Sequence, residues 1–251
     1  MLTTRIIPVL LLHSGCLVKT IHYKKYTYVG DPTNTVRIFN ELEVDELFFL
    51  DISATRMKHA PDFSLLAEIA EECFMPLGYG GGIQSLDQAA RVLEIGFEKI
   101  VLNTHALCDP TLISRAAARF GRQAVVVSVD VKNNIFWQPR VWSHGGTRNC
   151  HRTPLAWARE IEERGAGEVL LTDIKREGTW SGFNLELLRE ISAALSIPVI
   201  AHGGAGHPNH ILEAVQIGGA SAVALGSMVV FQKKGMGVLV HRPEIDVGTP
   251  S

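Results

Sequence analysis

Short apolar runs alternate with longer amphipathic stretches from one end of the chain to the other. Residues 5–12, 47–52, 76–79, 99–102, 124–129, 168–172, 198–201 and 222–225 read as strands. They are rich in Val, Ile and Leu without polar alternation, the pattern of a parallel sheet covered on both faces. Between them, residues 63–73, 86–95, 154–164, 185–194 and 210–217 carry helical spacing. Eight such strands in 251 residues predict an α/β fold of the (β/α)8 TIM-barrel type. A doubly wound open sheet is the alternative, but no GxGxxG follows the first strand.

The chain repeats itself. Asp45-Glu46-Leu-Phe-Phe-Leu-Asp51-Ile52 matches Gly167-Glu168-Val-Leu-Leu-Thr-Asp173-Ile174 at an offset of 122, and Gly80-Gly81-Gly82 matches His202-Gly203-Gly204 at the same offset. After one inserted residue, Leu102-Asn103-Thr104 answers Leu225-Gly226-Ser227. An offset near half the length implies two half-barrels, neither able to close its sheet alone. A single barrel is therefore expected over residues 1–235, with a tail of no firm structure at 236–251. Two connections, 13–31 and 131–152, are longer than usual and leave the C-terminal ends of strands. They are expected to be functional lids or surface excursions.

Composition removes several function classes. The chain is 46% hydrophobic and 20% charged, with 24 Lys and Arg against 26 Asp and Glu, a net charge of −2. No basic excess points to nucleic acid or a membrane surface, and no apolar run reaches the ~18 residues of a spanning helix. The N-terminus lacks the apolar core of a signal peptide. Cys16, Cys73, Cys108 and Cys150 stand far apart with no CxxC pair, so no metal, cofactor or disulfide framework is expected. These features predict a cytoplasmic protein with reduced thiols.

Glycines at strand ends let backbone N–H groups approach an anion, helped by the helix N-terminus that follows. Gly80-Gly81-Gly82 with Asn103-Thr104 form one candidate phosphate cradle, and Gly203-Gly204 with Gly226-Ser227 form its repeat. Tight βα turns would use the same glycines, but two cradles at equivalent places point to a two-ended anionic ligand such as a bis-phosphate.

At these residues the chain resembles a known family. Arg5-Ile-Ile-Pro, Leu17-Val-Lys19, Gly30-Asp31-Pro32, Leu50-Asp51-Ile52, Gly80-Gly-Gly-Ile83, Asn103-Thr104, Gln123-Ala-Val-Val-Val-Ser-Val-Asp130, Arg164-Gly-Ala-Gly-Glu168, Gly178-Thr179 and Gly203-Gly-Ala-Gly206 are similar to HisF, the synthase (cyclase) subunit of imidazole glycerol phosphate synthase. The related isomerase HisA matches less well around Arg5, Glu46 and Lys99.

The resemblance implies a heterodimer with a HisH-like glutaminase. Ammonia released at the barrel floor would pass a charged gate of Arg5, Glu46, Lys99 and Glu168, and travel along the barrel axis to the mouth. A structural salt-bridge floor is the alternative for that quartet. It also implies a phosphorylated sugar or nucleotide-like substrate, held by Gly81, Gly82, Asn103, Thr104, Thr172, Glu177, Gly178, Gly203, Gly204, Gly226 and Ser227, with Lys19 on phosphate. The family works with two aspartates at the mouth. Asp130 matches one, but residue 11, where the other belongs, is leucine, which carries no proton. The Ser before the second Gly-Gly is His202, and His13 follows Leu11 by two positions. Asp130, Lys19 and His202 are therefore the candidate catalytic set, with His13 a further proton carrier, while Asp51 and Asp173 read as structural.

Chains with this leucine resemble HisF-like proteins proposed to supply nitrogen in surface-polysaccharide (lipopolysaccharide) sugar modification. There an acetamido group becomes acetamidino with the help of a sugar amidotransferase. The alternatives are an authentic cyclase subunit of histidine biosynthesis, or a non-catalytic ammonia conduit that activates the glutaminase.

Overall fold

The computed structural model describes residues 4–42 and 44–243. Twelve strands occur among them: β1 (Arg5–His13), β2 (Cys16–Ile21), β3 (Lys24–Gly30), β4 (Leu47–Asp51), β5 (Leu77–Gly80), β6 (Lys99–Leu102), β7 (Val125–Asn133), β8 (Pro139–Ser143), β9 (Arg148–Asn149), β10 (Glu168–Asp173), β11 (Val199–His202) and β12 (Ala222–Leu225). Eight of them run parallel in the cyclic order β1-β4-β5-β6-β7-β10-β11-β12, and β12 returns to β1 with Arg5 opposite Ala222. This is the closed (β/α)8 barrel that the apolar runs predict. It is built as two four-strand halves joined at the seams β6/β7 and β12/β1.

Alternation along each strand sorts the apolar residues into two cores. Ile7, Val9, Leu11, Phe48, Val126 and Leu170 point inward and pack with one another in the bore. Leu10, Phe49, Val127 and Val169 point outward and meet the helices. Those helices begin where a side chain can accept an orphan N–H. Asp31 caps Pro32–Glu41, Asp62 caps Phe63–Glu72, Ser85 caps Leu86–Ile95, Thr153 caps Pro154–Glu163 and Asn184 caps Leu185–Ala194.

The two long connections are antiparallel hairpins, not irregular excursions. β2 and β3 extend β1, with Leu11 opposite Val18. β8 and β9 extend β7, with Asp130 opposite Trp142. The half-barrel repeat therefore includes its first loop. The local signal for a hairpin is weak, because the tight turn of the first falls on His22 and Tyr23, non-glycine residues at φ 55° and 59°.

The tail from 236 is partly ordered. Phe231 bridges Val238, and Leu239 and His241 donate their backbone N–H to Val230 and Val229 at 2.9 and 3.0 Å. Residues 244–251 lie outside the described residues. Among the described residues the cysteines are unpaired, no His/Cys/Asp/Glu group is arranged to hold a metal, and no helix is long and apolar enough to cross a membrane.

Candidate active site

The C-terminal ends of the barrel strands surround a cavity of about 340 Å³, the size range of a small-molecule site. Asp130 stands at its wall, 6% exposed, because it is the last inward-facing residue of β7 after Val126 and Ser128. Three donors converge on its carboxylate: the Tyr23 hydroxyl at 2.9 Å, Asn103 Nδ2 at 2.9 Å and the Ser128 hydroxyl at 3.1 Å. Burial pushes Asp130 up to about 6, against these three hydrogen bonds, which favour the ionised form. A carboxyl so poised changes protonation just below neutral pH, as general acid–base work requires.

Tyr23 is not among the residues that sequence reasoning singles out. It belongs to the turn of the β2–β3 hairpin, and burial together with the nearby Asp130 carboxylate holds its phenol protonated, well above its ordinary range. The hairpin is fastened by Glu177. One carboxylate oxygen accepts from Thr20 Oγ1 at 2.8 Å and the other from the Tyr23 backbone N–H at 2.9 Å. Gly178, at φ 72°, lies against the backbone of Thr20 and Ile21, where a β-carbon has no room. Gly178 thus supports the hairpin and stands behind the residues that line the cavity. Arg56, in the segment that follows β4, ties the two hairpins together: its guanidinium donates to the Tyr26 hydroxyl and, at 3.1 Å, to the Gly145 carbonyl.

Leu11, 5% exposed, lines the same cavity with Leu50 and Val101. Two polar groups lie toward the second half-barrel. Lys19 is 4% exposed and its ammonium donates to the Val9 carbonyl. Burial lowers it to about 7, partly offset by the Glu177 charge. His202 is 8% exposed and its Nδ1 meets Thr172 Oγ1 at 3.0 Å. Burial, then the Lys19 charge, lowers His202 to about 3, so it is a neutral imidazole at physiological pH. His13 stacks on Tyr26 with ring centroids 4.7 Å apart and is not part of the cavity wall. Asp51 and Asp173 serve their own loops: Asp51 accepts from Ser53 and Ala54 backbone N–H, Asp173 from Lys175 N–H and Asn184.

Gly81, Gly82, Asn103 and Thr104 line the cavity, as do Thr172, Glu177 and His202. Gly203, Gly204, Gly226, Ser227 and Lys19 do not line it directly, but Gly226 adjoins His202, its β-carbon position lying 4.0 Å from the imidazole Nε2.

At the opposite end, Arg5, Glu46, Lys99 and Glu168 form a closed ring of alternating charge. Arg5 reaches Glu46 at 2.9 Å and Glu168 at 2.6 Å, and Lys99 reaches the same two carboxylates at 2.7 and 3.0 Å. Burial raises Glu46 above its ordinary value, while Lys99 draws it back. Buried charges persist when each has partners of opposite sign, and here each ion has two. Above the ring the bore is filled: Ile7, Val9, Phe48, Val126, Leu170 and Ile200 are fully buried, and the Phe48 ring lies where a β-carbon on Gly78 would sit.

Comparison with known proteins agrees with this frame. Residues 5–234 match the family model described as histidine biosynthesis protein. The chain is 46% identical over 251 residues to a protein of Pseudomonas aeruginosa provisionally named imidazole glycerol phosphate synthase subunit hisF2, covering 99% of this chain and 100% of that protein. It is 43% identical over 244 residues to a provisionally named HisF subunit of Leptospira borgpetersenii (97% and 96% covered). To the imidazole glycerol phosphate synthase subunit HisF of Trichormus variabilis it is 41% identical over 234 residues (91% and 90%). With its eight-stranded barrel and a match across nearly its whole length, the chain belongs to the histidine biosynthesis protein family as a HisF-like member.

Proposed function

We propose that the chain is the ammonia-accepting synthase subunit of a two-protein glutamine amidotransferase, diverted from imidazole ring closure. Its nitrogen would go to sugar modification of the acetamidino kind. The observation that carries this reading is the contrast between the two barrel ends. The floor keeps its complete ring of Arg5, Glu46, Lys99 and Glu168, whereas the mouth has Asp130 and no carboxylate at Leu11. A HisH-like glutaminase would dock on the floor and release ammonia beneath the ring. Ammonia is uncharged and loses far less than an ion on entering an apolar bore, so movement of Arg5 or Lys99 and brief gaps around Phe48 would suffice for its passage.

At the mouth, Asp130 would take or return the proton of the attacking nitrogen, with Tyr23, Ser128 and Asn103 setting its orientation. Delivery to a separate sugar amidotransferase is supported by Ile135, Phe136 and Trp137. They are 86, 73 and 76% exposed at the tip of the second hairpin, an apolar patch suited to a protein partner.

The test is growth of a histidine auxotroph that lacks its own HisF, with glutamine hydrolysis by a HisH-like partner measured in parallel. Stimulated hydrolysis without growth is the expected result, and growth only with Leu11→Asp strengthens it. Growth with the unmodified chain overturns the diversion in favour of an authentic cyclase subunit. Stimulation that survives Asp130→Ala, with no nitrogen acceptor turned over, would favour a pure conduit.

A further inference from the structure

We infer that Asp130 and His202 are the two ends of one proton relay, joined through Tyr23 and Thr172, and that His202 Nε2 gives the mouth the second proton-transfer position that residue 11 does not supply. The hydrogen-bond chain stands on its own geometry, while its use in nitrogen transfer rests on the proposed function.

The register of the barrel assembles the chain. Asp130 on β7 is opposite Thr172 on β10, and Thr172 is opposite His202 on β11. With strands about 4.8 Å apart, the three side chains stand in one row. The corresponding row of the first half, on β1, β4 and β5, is Leu11, Leu50 and Gly80. All six residues line the cavity. At this level one half has two leucines and a glycine, and the other a carboxyl, a hydroxyl and an imidazole. Tyr23, from the first half's hairpin, closes the gap in the polar row. Its hydroxyl donates to Asp130 Oδ1 at 2.9 Å and accepts from the Thr172 hydroxyl. Thr172 Oγ1 in turn meets His202 Nδ1 at 3.0 Å.

The carboxylate sets the direction of the chain, because in its ionised form it only accepts. The Tyr23 O–H points at Asp130, the Thr172 O–H points at Tyr23, and His202 Nδ1 must hold the proton that it donates to Thr172. His202 is thereby the Nδ1–H tautomer, with Nε2 free to take a proton. A proton delivered to Nε2 releases the Nδ1 proton to Thr172, whose hydroxyl proton passes to Tyr23, and the Tyr23 proton passes to Asp130. One proton enters and one arrives, and the imidazole ends neutral as the Nε2–H tautomer. The reverse sequence returns the proton. Concerted transfer leaves no cation at a position where burial and the Lys19 charge disfavour imidazolium.

The charged groups around this row are Lys19 on β2, Asp130 on β7 and Glu177 after β10. Asp173, next to Thr172, is turned to Asn184, and Arg176 to the Ser181 and Gly182 carbonyls. Nitrogen-15 NMR of the imidazoles in the full chain, with His202 assigned by its loss in His202→Gln, reads the tautomer. At pH 8 the Nδ1–H form should be in roughly 10-fold excess, the preference that one net hydrogen bond supplies. As pH falls through about 6, Asp130 gains a proton that it can donate to Tyr23, the chain can reverse, and the Nε2–H signal should grow with that midpoint. This response should be lost in Tyr23→Phe, Thr172→Val and Asp130→Asn, and kept in Thr172→Ser. A response driven directly by Lys19 or Glu177 would survive Tyr23→Phe, and that result overturns the relay. So does a majority of Nε2–H at pH 8, or a tautomer ratio that does not change with pH. Stimulation of a HisH-like glutaminase by the unmodified chain is measured separately. Stimulation without the tautomer response sinks the relay alone, and the response without stimulation leaves the relay standing while the proposed function falls.

Discussion

The two half-barrels share a backbone plan and differ in what they do with it. At the floor the twofold relation survives: Glu46 and Glu168 are repeat mates, and each bonds both Arg5 and Lys99. At the mouth it is broken at several strand ends. Leu11 and Asp130 both open the ladder of a hairpin, paired with Val18 and Trp142, yet one is apolar and the other ionisable. Gly80 answers His202, and Asn103 answers Gly226. A ring of charges around an axis needs both halves to balance it, whereas a reacting centre needs only one acid–base group at a given place. Symmetry therefore persists where each half neutralises the other and is lost where one half can act alone.

Breaking the floor should have the largest effect on the fold. Lys99→Met removes one of two cations shared by Glu46 and Glu168, whose side chains are 4 and 11% exposed, and leaves excess negative charge in the barrel. Loss of a buried partner costs about 3 kcal/mol or more, which for a chain of this size lowers Tm by about 6–12 °C. The companion change Glu46→Gln restores neutrality, so the double variant should melt higher than Lys99→Met alone. Thermal unfolding of the three proteins at pH 7.5 measures this, and equal Tm values for the single and double variants would show that the ring is not coupled as the distances indicate.

At the mouth the sign is reversed. Asp130 is raised to about 6 by burial, above the ~3.9 of an unfolded aspartate. The folded state therefore binds the extra proton between about pH 4 and 6, and the ionised carboxylate subtracts stability above pH 6. The penalty disappears as pH falls below the unfolded value. Asp130→Asn removes the charge, and its amide can accept from Asn103 while donating to Tyr23 or Ser128. The variant should be more stable than the unmodified chain at pH 8 by about 1–3 kcal/mol, with the difference vanishing near pH 4. Denaturant unfolding at both pH values checks it. A gain that does not depend on pH would mean that repacking, not ionisation, is responsible.

The barrel was legible because strands buried on both faces must be apolar at every position, so 99–102 and 222–225 stand out in the sequence with the bounds the structure gives them. The floor quartet was legible through its resemblance and its repeat. The hairpins were not: Lys24–Gly30 is mostly exposed, and its pairing depends on docking against Glu177 and Gly178 rather than on its own pattern. Tyr23 was missed for the same reason. It lies 107 positions from Asp130 in the chain, and only the positive-φ turn at His22 and Tyr23 brings the phenol over the carboxylate. The glycine spacing reports where a backbone is free to approach an anion, but not which side chains stand beside it, such as Lys19 and His202 next to Gly226.

The mildest change probes the link between the halves that Tyr23 provides. Tyr23 belongs to the first half's hairpin but donates its hydroxyl to the second half's Asp130 at 2.9 Å. That hydrogen bond favours the ionised carboxylate, so it holds Asp130 below the value that burial alone would impose. Tyr23→Phe keeps the ring and removes the donor. Asp130 should then titrate higher than about 6, by roughly half a unit to one unit if the bond is worth about 1 kcal/mol. Carboxyl-selective NMR titration reads the shift directly. The hairpin would remain fastened through Thr20 and the Tyr23 N–H on Glu177, so proteolysis after Lys24 or Lys25 should accelerate only a few-fold in Tyr23→Phe and far more in Glu177→Ala. If Asp130 instead titrates lower in Tyr23→Phe, water has replaced the phenol as a better donor, and the mouth is open enough that the second half reaches its acid–base state without help from the first.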